Sequence, residues 1–261
     1  MRAKSGTRTL NRIWISTAGT AAVIVLLSSG AYAGLLGSLL GLLWSLPVTL
    51  SAPTPLGVDA TSPAVAVSSS GAGAAAWIIA GNFRTLQVAA QDVLGVWSAP
   101  QTLTPLTGAS VADPAIAVSP LGNAVAVWDI WQAKTPKGTA LQASSRMAGG
   151  SWTPAVSLTA PVAGARQPKV GMDALGNAVA IWLESTSAGS AIRSAKLPVG
   201  GSWSTPVRLS PAGTTAAAPA LAVNSLGQAI VCRVYAEEPY NKSRCQACTS
   251  WGGLSRLPQD S

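Results

Sequence analysis

The chemistry open to this sequence rests on a small set of carboxylates, because the chain contains no histidine. Without histidine, Ser-His-Asp and Cys-His nucleophile systems are excluded. Hydrolysis of a glycosidic bond would instead need two carboxylates at a controlled separation. The acidic residues that could supply them are Asp59, Asp92, Asp113, Asp129, Asp173, Glu184, Glu237, Glu238 and Asp260. Asp113 and Asp173 occupy repeated positions near turns or loops, so we expect them to bind local backbone amides rather than to catalyse.

The three cysteines do not predict a metal or redox centre. Cys245 and Cys248 form a Cys-x-x-Cys pair, and Cys232 is the one further cysteine. A structural zinc needs about four ligands, which this histidine-free chain cannot supply. A thioredoxin-like role needs a βαβ setting that is missing. We therefore expect one disulfide and one remaining thiol, no metal, and no cofactor.

Tryptophans stand in two rows with repeated spacing. The first row is Trp77, Trp128 and Trp182, and the second row is Trp97, Trp152 and Trp203. Tryptophan can stack on a sugar ring, but recurrence in every unit favours packing between units, with each indole N–H partnered. We expect a structural role for both rows. The alternative is a lectin that binds glycans through them.

These side chains must be positioned by a repeated element of about fifty residues. The phrases SPLGNAVAVW (Ser119–Trp128) and DALGNAVAIW (Asp173–Trp182) are nearly the same, and weaker copies end at Trp77 and Arg233. Prolines precede the copies at intervals of 51, 54 and 51 residues, at Pro63, Pro114, Pro168 and Pro219. Such a period is typical of propellers and other repeat arrays.

Each unit contains enough strand signals for one four-stranded blade. In the second unit we predict strands at residues 115–119, 124–129, 140–147 and 152–158, with Leu121-Gly122-Asn123 as a tight turn. Runs of Ala and Val suit sheets covered on both faces. The units span about 58–108, 109–162, 163–213 and 214–261. The predicted fold is therefore an all-β propeller of about four four-stranded blades, possibly incomplete.

The N-terminal segment has the pattern of an export signal. A basic tip (residues 1–12) precedes an apolar run (13–29) and the small-x-small motif Ala31-Tyr32-Ala33. We predict an apolar helix within residues 1–33, cleaved as a signal peptide, which places the protein in the periplasm, on the cell surface or in the medium. The alternative is a retained membrane anchor through residues 13–33.

Residues 34–57 form an apolar lead-in, and it contains a close copy of a segment from a later unit. WSLPVTL (Trp44–Leu50) matches WSTPVRL (Trp203–Leu209) in five of seven positions. We predict that Trp44–Ser51 is a last strand placed ahead of the first unit, where it would close a ring by completing the final blade.

The formal charge of +8 does not predict nucleic-acid binding. Four of the 17 basic residues lie in the N-terminal tip, and the others are scattered singly. A nucleic-acid site normally shows a basic stripe or patch. We expect an unknown protein or glycan partner, possible homo-oligomers, and no nucleic acid.

The units DALGNAVAIW…GGSWSTPVRLS and SPLGNAVAVW…GGSWTPAVSLT resemble the tandem repeats of bacterial sialidase-like β-propellers with BNR or Asp-box repeats. The resemblance covers about residues 44–233 and implies the propeller fold. Sialidases use an arginine triad, an acidic aspartate, and a tyrosine nucleophile with its glutamate. The arginines present are Arg84, Arg146, Arg166, Arg193 and Arg208, but tyrosine near glutamate occurs only at Tyr235 and Glu237, in the irregular fourth unit. The resemblance therefore implies a non-catalytic relative.

The fourth unit departs from the repeated sequence pattern at Cys232, which fits either a diverged terminal repeat or a truncated longer propeller.

We expect an exported non-catalytic scaffold, not an enzyme, whose loops at 129–139 and 183–190 contact a partner. The candidate ligand-binding residues in these loops are Trp131, Asp129 and Glu184. The alternatives are a glycan-binding lectin and a truncated or degenerate sialidase-like glycosidase.

Overall fold

A computed structural model describes residues 47–51, 58–104, 109–132, 138–160, 163–187, 189–211, 215–237 and 240–248. Contacts between Cα atoms divide the chain into two units, Met1–Thr49 and Leu50–Ser261. Of the first unit, residues 47–49 are described, and they adopt no regular secondary structure. The predicted signal or anchor segment 1–33, together with residues 34–46, lies outside the described residues. No helix in the described ranges is long and apolar enough to cross a membrane.

The second unit consists of four antiparallel sheets, each built from consecutive strands. The first sheet contains β1 (Asp59–Val67), β2 (Gly73–Ala80), β3 (Arg84–Gln91) and β4 (Gln101–Thr102). The second contains β5 (Ala109–Val118), β6 (Ala124–Gln132), β7 (Gly138–Arg146) and β8 (Val156–Ser157). The third contains β9 (Arg166–Met172), β10 (Ala178–Thr186), β11 (Gly189–Leu197) and β12 (Val207–Arg208). The fourth contains β13 (Ala216–Val223), β14 (Ala229–Glu237) and β15 (Tyr240–Cys248).

The repeated Leu-Gly phrase forms the turn between the first two strands of a sheet. Gly122 and Gly176 have φ angles of 83° and 93°, a region that glycine enters without steric cost. In the third sheet, one Asp173 carboxylate oxygen accepts hydrogen bonds from the backbone N–H groups of Leu175 and Asn177, at 2.9 and 2.8 Å. This is the local role that the position of Asp173 predicts.

The fourth strand of each unit is much shorter than the sequence indicated. The predicted strand 152–158 is reduced to the two residues of β8. The segment is nevertheless attached at both ends, because Thr153 N–H donates to the Ser145 carbonyl and Leu158 N–H donates to the Leu141 carbonyl. Pro154 lies between these bonds and has no N–H group to donate, so a continuous ladder cannot form.

The sheets stack face to face through small residues and the first tryptophan row. Ala74, Ala76 and Ile78 of β2 share a buried cluster with Trp128 of β6. Val125 and Val127, which point to the other side of β6, pack with Trp182 of the third sheet. Each of these two tryptophans therefore faces the sheet that precedes its own. This sequential stacking of short antiparallel sheets confirms the predicted all-β blade architecture.

The fourth sheet has three strands in the described part of the chain. Leu50 packs against Ala75, Trp77 and Ala89, on the face of the first sheet that points away from the second. That is the place which the last segment of a preceding blade would occupy. Residues 47–51 form no strand in the structure. The assignment of Trp44–Ser51 as the closing strand stays a prediction, because residues 44–46 lie outside the described ranges.

Candidate functional site

The first strand of every sheet is distorted at the repeated proline. The residues immediately before these prolines are Ser62, Asp113, Gln167 and Ala218, and they have φ angles of 49°, 46°, 54° and 47°. Left-handed backbone is unfavourable for residues with a side chain, and the residue before proline normally prefers extended geometry. Strand register shifts at the same points. A strained feature kept in all four sheets is a sign of a functional region.

The four X-Pro steps meet around one pocket of about 560 Å³. Its lining residues are Ser62, Pro63, Asp113, Pro114, Gln167, Pro168, Lys169, Ala218 and Pro219. Since each sheet contributes its first strand, we call this the axial pocket. Among these residues, Asp113, Gln167 and Lys169 carry a carboxylate, an amide and an ammonium group. Its volume is in the range of small-molecule sites, and these groups suit hydrogen bonds to a polar ligand.

Asp129 is a buried acid at a position where the other sheets have apolar residues. The repeat aligns it with Ile78, Leu183 and Val234. Only 5% of Asp129 is exposed, and it lies beside the axial pocket because the backbone N–H of Gln167 donates to its Oδ2 atom at 3.3 Å. Its Oδ1 atom has no hydrogen-bond partner among the described residues. A buried carboxyl oxygen without a partner costs free energy, so packing alone does not account for an acid at this position.

Burial, and after it the nearby negative charge of Asp113, raise the pKa of Asp129 to about 8. The N–H of Gln167 and the positive charges of Arg166 and Lys169 oppose this shift without cancelling it. Removing a carboxylate from water favours its neutral form. Asp129 therefore carries a proton at neutral pH, which is the state that a general acid requires.

The third sheet carries polar contacts on both of its faces, with Arg166 and Ser185 on the side of Leu183 and Glu184 on the side of Trp182. Arg166 donates to the hydroxyls of Ser185 and Ser190 at 3.1 and 3.0 Å, whereas the matching residue of the second sheet is Ala112. Glu184 pairs with Arg193 at 3.0 Å, and its counterpart in the second sheet is Ile130. Ile130 belongs to the apolar interface between the first two sheets. The Glu184–Arg193 pair therefore makes the interface between the second and third sheets polar at a position where the interface between the first two sheets is apolar.

The three predicted ligand residues have different environments. Asp129 lies next to the axial pocket, and Glu184 reaches the same sheet interface, where it also accepts a hydrogen bond from the Trp182 indole N–H at 3.4 Å. Trp131 is 47% exposed, two residues beyond Asp129 on β6. Asp113, for which we predicted only a local structural role, lines the pocket instead. Its position depends on the strand distortion at Pro114, which has no local sequence signature.

The tryptophan rows are mostly covered. Trp77, Trp128, Trp182 and Trp152 are buried, and Trp97 and Trp203 are half-buried. The Trp77 indole N–H donates to the Gln87 side chain at 3.0 Å, but that of Trp128 has no partner in the described part of the chain. The four buried rings are not free to stack on a sugar, whereas Trp97 and Trp203 are partly exposed.

The described residues contain no group of three or more His, Cys, Asp or Glu side chains that could hold a metal ion. Cys232 is disulfide-bonded, and the strand register places it opposite Cys245. Tyr235 and Glu237 lie on β14, but their side chains are outside the described part of the structure. The acids Glu238 and Asp260 are outside it altogether.

Comparison with known proteins identifies the fold. No protein-family model matches the sequence, and no curated protein matches it. Among solved structures, an α-L-arabinanase from Penicillium chrysogenum in complex with arabinobiose is similar with a TM-score of 0.52 and 11% identity, over 80% of this chain and 70% of that one. A polysaccharide lyase, PL25 ulvan lyase, is similar with a TM-score of 0.50 and 9% identity, over 75% of this chain. A leech intramolecular trans-sialidase has a TM-score of 0.47 and 10% identity, over 75% of this chain and 50% of that one.

These comparisons correct one prediction. The conclusion that the chain is not an enzyme is wrong, because the solved structures that share its fold are glycosidases and lyases. The chain spans about half of the ulvan lyase, 53% of its length. At this level of identity the likeness concerns the fold alone, which is a β-propeller.

Proposed function

We propose that this protein is a glycan-active propeller that cleaves a glycosidic bond at the axial pocket. The observation that carries the proposal is the buried, protonated carboxyl of Asp129 behind a pocket wall that also presents the carboxyl group of Asp113. Two carboxyl groups, one able to donate a proton and one able to accept it, are the requirement for glycoside hydrolysis. The fold shared with an arabinanase and a polysaccharide lyase supports the same substrate class.

In this mechanism the glycan lies in the axial pocket, with its hydroxyls bound by Gln167 and Lys169. Asp129 gives its proton through one intervening water molecule to the glycosidic oxygen as the bond to the sugar carbon breaks. Asp113 takes a proton from the attacking water, whose oxygen forms the new bond to that carbon. Closing the pocket with substrate would exclude solvent and maintain the proton on Asp129, because desolvation is the main cause of its raised pKa.

The test measures release of reducing sugar from neutral and anionic polysaccharides by the purified protein. Asp129→Asn removes the proton donor with little change in shape, and we expect turnover to fall by about 100-fold or more. Asp173→Asn is the matched control, because Asp173 is also a buried acid but binds its own turn. We expect the control to lower stability and to leave turnover per folded molecule unchanged.

Two results would overturn the proposal. One is binding of a glycan in the axial pocket without any turnover, measured by calorimetry with the same polysaccharides. The other is turnover that survives both Asp129→Asn and Asp113→Asn. Asp129→Leu adds a further check, because leucine occupies the same repeat position at Leu183. This variant should be folded and inactive.

We also propose that the protein is exported, which would bring it to extracellular polysaccharides. The basic tip, apolar run and Ala31-Tyr32-Ala33 motif support this location. N-terminal sequencing of protein from the medium or periplasm should begin at Gly34. Recovery of the intact N-terminus in the membrane fraction would favour the retained anchor instead.

A further inference from the structure

The first and fourth sheets expose apolar residues whose counterparts in the second and third sheets are buried. On the first sheet, Val65 is 77% exposed and Val67 is also exposed. The residue that corresponds to Val65 in the second sheet is Ile116, which is only 8% exposed because it packs against the first sheet. Val65 and Val67 are thus apolar residues at an interface position, but no neighbouring blade among the described residues covers them.

The fourth sheet shows the other half of the same interface. Ile230 of β14 is 50% exposed. Its counterparts in the second and third sheets, Val125 and Val179, are buried against the sheet that follows. Ile230 therefore lies on the face against which a following blade would pack. The described part of the chain provides no blade on that face.

The exposed faces of the first and fourth sheets are complementary, because the same pairs of repeat positions contact each other wherever two sheets pack together. Val125 shares a cluster with Val170 and Met172 of the next sheet, and Val179 shares one with Leu221 and Val223. By the repeat, Val170 and Leu221 correspond to Val65, and Met172 and Val223 correspond to Val67. Ile230 would pack on Val65 and Val67 as its counterparts pack on theirs.

The Leu50 segment, residues 47–51, supplies the remaining part of this interface. Leu50 covers the outer part of the first sheet at Trp77, where the last segment of a preceding blade would lie. The described fourth sheet lacks this last segment. A fourth sheet placed on Val65 and Val67 would thus find Leu50 at the position of its missing strand. Within one chain the faces stay apart, since both remain exposed to solvent.

We infer that a second copy of this chain supplies the neighbour, with the fourth sheet of each copy packed on the first sheet of the other. Each chain has two open faces, so a pair of chains joined by two such contacts leaves neither face exposed. The pair is closed and two-fold symmetric, which is the commonest symmetry of soluble oligomers. The Leu50 segment of each copy then completes the fourth sheet of its partner.

Sedimentation velocity of the protein, as isolated from its expressing host, tests the inference. The native protein should sediment as a dimer at micromolar concentration. Val65→Asp and Ile230→Asp each alter one exposed residue of one face, and each should give a folded monomer by circular dichroism. Leu175→Asp is the control, because this exposed leucine lies in a turn away from both faces, and it should remain dimeric.

Mixing the two variants separates contacts between chains from closure within one chain. The Val65→Asp chain keeps a normal fourth sheet and the Ile230→Asp chain keeps a normal first sheet, so the mixture should recover part of the dimer through one intact contact. A monomeric native protein would overturn the inference. So would two face variants that both stay dimeric, or a native protein that forms open filaments.

Discussion

At the scale of single residues, Asp129 stands out because its position in the blade is apolar everywhere else. Isoleucine, leucine and valine fill the equivalent site in the other sheets, and Ile78 and Leu183 bury hydrocarbon against the next blade. An acid in that place loses hydration and gains one backbone hydrogen bond. The free-energy penalty on its ionised form appears as the raised pKa, and the neutral form is the one compatible with folding.

This raised pKa makes stability depend on pH in a defined direction. The pKa of Asp129 is about 8 in the folded protein, against an ordinary value of 3.8 for an aspartate exposed to water. Between these values the unfolded chain loses the proton and the folded chain keeps it, so the free energy of unfolding falls as pH rises. The contribution of Asp129 is fully present below pH 4 and lost by about pH 8.

Urea unfolding of the native protein and of Asp129→Asn at several pH values from 4 to 9 checks this expectation. The native protein should lose stability relative to Asp129→Asn as pH rises, by roughly several kcal/mol in total at about 1.4 kcal/mol for each pKa unit. Parallel stability curves for the two proteins would show that Asp129 does not titrate in this window.

At the scale of elements, the distortion before each repeated proline shapes the axial pocket. It turns the backbone of four first strands into left-handed geometry and directs Asp113 and Gln167 to a common space. Local sequence rules favour the opposite, because X-Pro steps prefer extended backbone. The surrounding strand pairing therefore imposes this geometry on both sides of the step.

A glycine at one of these steps should relieve the strain. Ala218 has a φ of 47° in β13, so Ala218→Gly should raise the free energy of unfolding by about 1 kcal/mol. Ala222 lies on the same strand, is exposed, and is not among the residues with positive φ. Ala222→Gly should instead lower stability by about 0.5–1 kcal/mol. Chemical denaturation of both variants measures the contrast, and equal effects would contradict strain at Ala218.

At the scale of the whole molecule, the residues from Leu50 onward depend on stacking, since no sheet can cover both of its own faces. Leu50 illustrates this by covering the first sheet at Trp77. Leu50→Ala should lower stability by about 1–2 kcal/mol, less than for a fully buried leucine. Tryptophan emission should also shift to the red as water reaches Trp77.

Val48→Ala serves as the comparison for Leu50→Ala, because Val48 is exposed. It should leave both stability and emission unchanged. An unchanged spectrum for Leu50→Ala would show that this residue does not protect the tryptophan in solution.

The blades were predictable from sequence because the pattern of small apolar residues, turn glycine and tryptophan repeats every fifty residues or so. The candidate site was predictable only in part. Asp129 was selected from its loop position, whereas Asp113 and Gln167 depend on register shifts between strands, which local pattern does not encode. Alignment of the repeats would have found these two polar positions, since Asp129 and Arg166 replace residues that are apolar in neighbouring units. The outer strands were predicted too long because proline interrupts them.

The interrupted outer segments have a consequence for how such a protein can change over time. With Pro154 and Pro206 in these segments, the outer edges of the second and third sheets offer too few consecutive amides for a foreign strand to join them. Sheets with such edges do not gain further strands from other chains. Duplication or loss of an entire fifty-residue module is the route by which the chain can grow or shrink, and each such event alters the circumference of the axial pocket while leaving the modules themselves intact.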